Sequence, residues 1–232
     1  MIFITGASGF VGRAIGFILD SEGIPHKLIK RSQLYNNLSD FLKLNKCDTL
    51  IHCAWFMDYE NPINRDENKR LNNEVLDAII NVNKMIFISS INVLNLNDAY
   101  SQDKRNWEVV FSNQLKKLDK KMSTIYLPHL IAPEVGINNN SVIYTFYKHW
   151  KFGIPLNVYN DVDICYTDLI SFKEILLQSI ESNEFTRLSP RNKIASVACI
   201  KAKFLSKKLS CPIIDQLKCS KIIDVKTITQ EK

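Results

Sequence analysis

Tyr100 and Lys104 stand four residues apart in the stretch AYSQDKRNWE, a spacing that puts both side chains on one face of a helix. A free phenol titrates near ~10, and an ammonium beside it favours the phenolate and lowers that value. Such a phenol can pass a proton to a developing alkoxide or take one from an alcohol. Ser90 ends the apolar run MIFISS and can hydrogen-bond the same oxygen. Alone, the Tyr-x-x-x-Lys spacing is common by chance. Its weight comes from order along the chain: a glycine pattern, then a strand-end serine, then tyrosine and lysine.

The glycine pattern opens the chain as MIFITGASGFVG, with Gly6, Gly9 and Gly12 spaced three apart after an apolar run. It reads either as a tight strand-to-helix turn or as a cradle for a pyrophosphate. In the cradle reading Gly6 makes the turn, Gly9 admits the phosphates to the backbone, and Gly12 lets the helix pack on the strand. The amides at the start of that helix then hold the anion. A carboxylate at the end of the second strand would select the ribose hydroxyl of NAD. This sequence has Lys30, Arg31 and Ser32 there. A guanidinium suits a 2′-phosphate, so NADP is favoured, with Arg31 as main contact and Ser32 assisting. NAD remains possible, as does a plain surface basic pair.

These residues need a scaffold, and the chain alternates short apolar runs with longer amphipathic segments. Strands are expected at 1–5, 26–30, 49–53, 85–89 and 124–127. Helices are expected after the glycines and over 38–44, 66–82, 102–121 and 141–152. This alternation predicts an α/β fold, a doubly wound parallel sheet of Rossmann type covered on both faces. Ligands bind such sheets beyond the carboxyl ends of the strands. Those ends collect Thr5-Gly6, Ala54 and Ser89-Ser90. Beyond residue 185 the pattern weakens, and a small C-terminal lobe is expected. His52 reads as a packed, hydrogen-bonded histidine, Asp168 as a helix cap, and Trp107 and Phe111 as core.

The 232 residues are 46% hydrophobic and 23% charged, which suits one sizeable core. The net charge of +6 is spread over scattered lysines, with a modest cluster at Lys201, Lys203, Lys207 and Lys208. No basic stripe interleaved with aromatics points to nucleic acid. No run approaches the ~20 apolar residues of a membrane span. No basic-then-apolar leader opens the sequence. Cys47, Cys53, Cys165, Cys199, Cys211 and Cys219 form no C-x-x-C pair and no zinc spacing with histidine. A cytoplasmic protein with reduced thiols and no metal is the expectation.

Taken together, TGASGFVG (5–12), DTLIHCAW (48–55), FISSINV (87–93) and YSQDK (100–104) resemble the extended short-chain dehydrogenase/reductases of the nucleotide-sugar epimerase/dehydratase/reductase group. Weaker echoes lie in HLIAP (129–133), GIPLNVYNDVD (153–163) and YTDLISF (166–172). The resemblance implies an NAD(P)-binding core over 1–131 carrying a catalytic Ser90-Tyr100-Lys104 set. Residues 132–232 would complete the sheet and form a small substrate lobe. It further implies cofactor contacts from Gly6, Ser8, Gly9, Phe10, Val11, Gly12, Arg31, Ser32, Ala54, Tyr100 and Lys104. Trp55, Ser90 and His129 would touch a nucleoside diphosphate sugar. A homodimer is possible.

Only nine residues separate Ser90 from Tyr100, fewer than the family usually has, so Ser89 stands as an alternative to Ser90. Leu94 replaces the usual tyrosine, and the arginines common after the fifth strand and before YTDL are missing. The Arg31 end and the compact C-terminal part favour a 4-keto reductase using NADP. An NAD-dependent epimerase and a non-catalytic NADP-binding regulator are the alternatives. Dehydration is disfavoured because Ile91-Asn92 follows Ser90, with no carboxylate pair.

Overall fold

The computed structural model describes residues 1–197 except 36, 96–97, 137, 139–140, 153, 155–160 and 191–192. Cys199, Cys211, Cys219 and the lysine cluster at 201–208 lie outside the described residues. The first half runs β1 (Ile2–Thr5), α1 (Phe10–Ser21), β2 (His26–Leu28), α2 (Arg31–Tyr35), α3 (Leu38–Leu44), β3 (Thr49–His52), α4 (Pro62–Ala78) and β4 (Lys84–Ser90). The second runs α5 (Asn92–Asn95), α6 (Ala99–Lys117), β5 (Lys121–Leu127), β6 (His129–Ile131), α7 (Val142–Lys151), β7 (Asp163–Asp168), α8 (Leu169–Glu181), β8 (Thr186–Leu188) and β9 (Lys193–Ser196).

Six strands form one parallel sheet in the order β2-β1-β3-β4-β5-β8. The order reverses between β1 and β3, which is the switch point where doubly wound sheets bind ligands. Among the described residues only β2 lies outboard of β1, where the common dinucleotide-binding order has two strands. Helices α2 and α3 occupy that stretch of chain instead. A smaller sheet pairs β6 parallel to β7, and β7 antiparallel to β9.

Strand period two explains why the apolar runs are continuous. Phe3, Leu50, Met85 and Phe87 pack on one face, against Leu42, Leu71, Val75 and Phe111 from the helices there. Ile4, Ile51, Ile86 and Ile88 pack on the other, against Ile15, Ile18 and Leu19 of α1 and Phe172 and Leu176 of α8. Both faces are covered, so neither set of alternate residues needs to be polar.

Helix α6 ends at Lys117, short of the expected 121, because Asp119 turns into the left-handed region at φ 52° and Lys121 already pairs in β5. Strand β5 therefore begins three residues before its apolar stretch. Its polar Ser123 and Thr124 are buried, and the Ser123 hydroxyl accepts from Thr186 of β8 at 2.8 Å. Beyond residue 185, β8 joins the main sheet and β9 the smaller one. Among the described residues, no helix is long and apolar enough to cross a membrane.

Candidate active site at the strand ends

Two cavities open at the carboxyl ends of β1, β3 and β4. The larger, about 360 Å³, is lined by Gly9, Phe10, Val11, Gly12, Ser89, Ser90, Tyr100, Lys104 and His129, among others. The smaller, about 210 Å³, is lined by Ser8, Arg31, Tyr35, Ala54 and Phe56, among others. Gly6, Gly9, Cys53 and Trp55 border both. Ser32, the second residue of α2, is exposed and is not among the residues that line the smaller cavity.

The glycine loop is built for close approach. Gly6 sits at φ +69°, and a Cβ there would lie 2.6 Å from the Ala54 backbone. A Cβ on Gly12 would lie 2.2 Å from the Gly6 carbonyl oxygen. The Gly9 amide donates to that same oxygen at 2.9 Å, closing the turn. Asn61, Asp98 and Asp168 cap α4, α6 and α8 by accepting from backbone amides. Helix α1 opens at Gly9, and among the described residues no side chain caps it. Its first-turn amides face the end where Phe10 and Val11 border the larger cavity.

Below the loop lies a buried chain of hydrogen bonds that sequence reading did not assemble. Thr5 Oγ1 and His52 Nδ1 are 2.7 Å apart, and His52 Nε2 meets Asn72 Oδ1 at 3.0 Å. Asn72 Nδ2 in turn donates to the Asn68 carbonyl. The amide oxygen can only accept, so Nε2 carries the proton and the Thr5 hydroxyl donates to Nδ1. Burial holds the imidazole neutral, its pKa brought down to about 4. Asn68 also clamps the Phe56 backbone from both sides, at 2.8 and 2.9 Å. The segment 53–56 that separates the two cavities is thereby tied to β1, β3 and α4.

Tyr100 and Lys104 come from the start of α6, and Ser90 from the end of β4. A hydrogen bond joins the Ser90 hydroxyl to the Tyr100 phenol despite the short connection. Ser89, the alternative, lines the same cavity with a buried hydroxyl that has no hydrogen-bond partner among the described residues. The expected lowering of the phenol by Lys104 is not found. Burial pushes Tyr100 up to about 12, and the Ser90 bond offsets only part of this. Lys104 Nζ instead donates to the Ile88 carbonyl at 2.8 Å. It lies 5.8 Å from the Tyr100 ring centre and 4.3 Å from that of Trp55. Burial brings the Lys104 ammonium down to about 7.

Trp55 Nε1 donates to the Tyr59 hydroxyl at 3.1 Å, and both rings meet Tyr100 edge-on. His129 borders the far end of the larger cavity, and burial lowers its pKa. Asn92 and Asn138 line the same cavity and were not singled out by the sequence. At the smaller cavity Arg31 lies over the Phe56 ring at 5.2 Å. It also pairs with Glu67 of α4 at 3.9 Å, a carboxylate 36 positions away in the chain.

The parallel order, its reversal at β1/β3 and a glycine turn at that point define a Rossmann-type nucleotide-binding fold. The chain has the fold of solved nucleotide-sugar epimerases and a related synthetase. It matches UDP-N-acetylglucosamine 4-epimerase from Bacillus cereus at TM-score 0.70 and 15% identity, over 87% of this chain and 79% of that one. UDP-glucose 4-epimerase from Thermus thermophilus, in complex with NAD, matches at 0.73 and 14% identity, over 88% and 82%. A GDP-L-fucose synthetase from Naegleria fowleri matches at 0.65 and 16%, over 88% and 77%. No family model matches the sequence, and no curated protein does.

Proposed function

We propose that this protein is an NADP-dependent oxidoreductase that reduces a keto group, of the 4-keto type, on a nucleoside diphosphate sugar. Such a step belongs to surface-polysaccharide or deoxysugar biosynthesis. One observation carries the reading: a half-buried phenol, hydrogen-bonded to a serine, shares a cavity with the start of the glycine-turn helix. The matched structures include proteins named for UDP- and GDP-linked sugars, one of them in complex with NAD.

The residues present fit a dinucleotide. The Gly9 turn and the free first-turn amides of α1 suit a pyrophosphate. Ser8 and Ala54 border the adenosine side, and Arg31 with its aromatic neighbours suits a phosphorylated ribose. Residues 1–131 would carry the cofactor, and 132–232 would complete the sheet and enclose the sugar.

When bound, the reduced nicotinamide supplies a hydride to the carbonyl carbon. Ser90 orients the carbonyl oxygen through its hydroxyl. Tyr100 protonates that oxygen as it gains charge, and its high pKa keeps the phenol loaded with a proton at neutral pH. Lys104 would turn from the Ile88 carbonyl toward the nicotinamide ribose. Trp55 and His129 flank the sugar.

The test is NADPH oxidation with a panel of nucleoside diphosphate 4-keto sugars. Tyr100→Phe is expected to lower kcat by about 10²- to 10⁴-fold while NADPH still binds; retained turnover would overturn the mechanism. Glu67 favours a second reading, an epimerase holding NAD, because a carboxylate can accept from an unphosphorylated ribose. Tight co-purified NAD and interconversion of sugar epimers without net NADPH consumption would select it.

A further inference from the structure

Glu67 is bracketed by two guanidiniums. Arg31 Nη2 lies 3.9 Å from one carboxylate oxygen and Arg70 Nη1 lies 3.8 Å from the other. Both arginines lie over the Tyr35 ring, Arg31 at 5.7 Å and Arg70 at 4.8 Å. Arg31 and Tyr35 line the smaller cavity, whereas Glu67 and Arg70 stand behind them on one face of α4. The group as a whole carries one positive charge in excess.

We infer that Glu67 and Arg70 set the preference for a phosphorylated over an unphosphorylated adenosine ribose by controlling how far the Arg31 guanidinium is free to bind it. The inference rests on the nucleotide reading of the smaller cavity. Glu67 competes with a 2′-phosphate for Arg31, because both are anions seeking the same donors. Arg70 spends its own charge on Glu67 and so weakens that competition. Ion pairs this long and this exposed are weak, which leaves Arg31 exchangeable. Arg70 is thus a positioning residue that acts through Glu67, not a contact to the ligand.

The test is calorimetric binding of 2′,5′-ADP and of 5′-ADP, with far-ultraviolet circular dichroism on each variant as a control for folding. Glu67→Gln is expected to tighten 2′,5′-ADP by roughly fivefold, and Arg70→Gln to weaken it by a similar factor, the size of an exposed charge pair. Arg70→Gln should not move 5′-ADP, and Glu67→Gln should change it less than it changes 2′,5′-ADP. The double variant should match Glu67→Gln, since Arg70 has nothing to neutralise once Glu67 is uncharged. A double variant that falls back to the parent's affinity or below it would overturn the inference by showing that Arg70 acts on the phosphate without Glu67. Equal changes for both ligands, or no change, would also overturn it. If the parent protein binds neither nucleotide, the nucleotide reading of the cavity fails and the inference falls with it. If it binds both while the variants behave as the parent, only the inference fails.

Discussion

The ammonium nitrogen of Lys104 lies 4.3 Å from the centre of the Trp55 indole ring and donates a hydrogen bond to the Ile88 carbonyl at 2.8 Å. The face of an indole is a partial substitute for water around a cation. It does not replace full solvation, and the buried amine is brought down to about 7. Lys104, rather than Tyr100, is therefore the member of the pair that titrates near neutrality.

The unfolded chain holds the Lys104 proton up to about 10.5, the folded protein only to about 7. Across that window the unfolded state binds more protons, so stability rises with pH and is lost again as pH falls through 7. Lys104→Met removes a buried charge while keeping most of the packing. It is expected to be more stable than the parent at pH 6 by about 1–4 kcal/mol, with the gap closing by pH ~10. Urea melts at the two pH values measure this. A constant gap would mean that the amine is not desolvated as described.

His52 predicts a loss of the same sign in a more acidic window. Its pKa falls from 6.5 to about 4 on folding, because burial disfavours the imidazolium and the neutral ring is already saturated by Thr5 and Asn72. Its stabilisation is complete above pH 6.5 and is lost as pH falls through 4, amounting to about 3 kcal/mol. Thermal melts between pH 7 and 4 should show this decline. His52→Gln should start less stable and flatten it.

The glycines of the first turn should not respond alike to alanine. Gly12→Ala places a methyl 2.2 Å from the Gly6 oxygen, and Gly6→Ala places one 2.6 Å from Ala54 in a left-handed conformation. Each is expected to cost about 1–3 kcal/mol or more and to abolish nucleotide binding. Gly16→Ala, further along α1, meets only side-chain atoms at 3.8 Å or beyond. It should be neutral or stabilising by about 0.5–1 kcal/mol. Chemical melts and a nucleotide titration of the three variants distinguish local crowding from a general intolerance of alanine.

Much of the scaffold was legible because its signals are local. The runs IFIT, TLIH and MIFIS are buried strands on any register, and their lengths admit little else. The cap Asp168 acts on an amide three residues away. The end of α6 was less legible. Its apolar spacing runs on into residues that belong to β5, and what stops the helix is the positive φ at Asp119, which nothing in its residue type demands.

The sequence by itself determined the order and nature of the main elements from β1 to β5, the glycine turn, and the placing of Tyr100 and Lys104 on one helical face. Each of these follows from chain geometry over a few residues. Tertiary structure alone decided that Lys104 turns toward Ile88 and Trp55, and that Ser32 falls outside the cavity that Arg31 enters. It alone tied Thr5 to His52 and Asn72, and set Glu67 and Arg70 behind Arg31. Those outcomes depend on desolvation and on charges brought together across tens of residues, and burial is a property of the packed sheet that no short window of sequence contains.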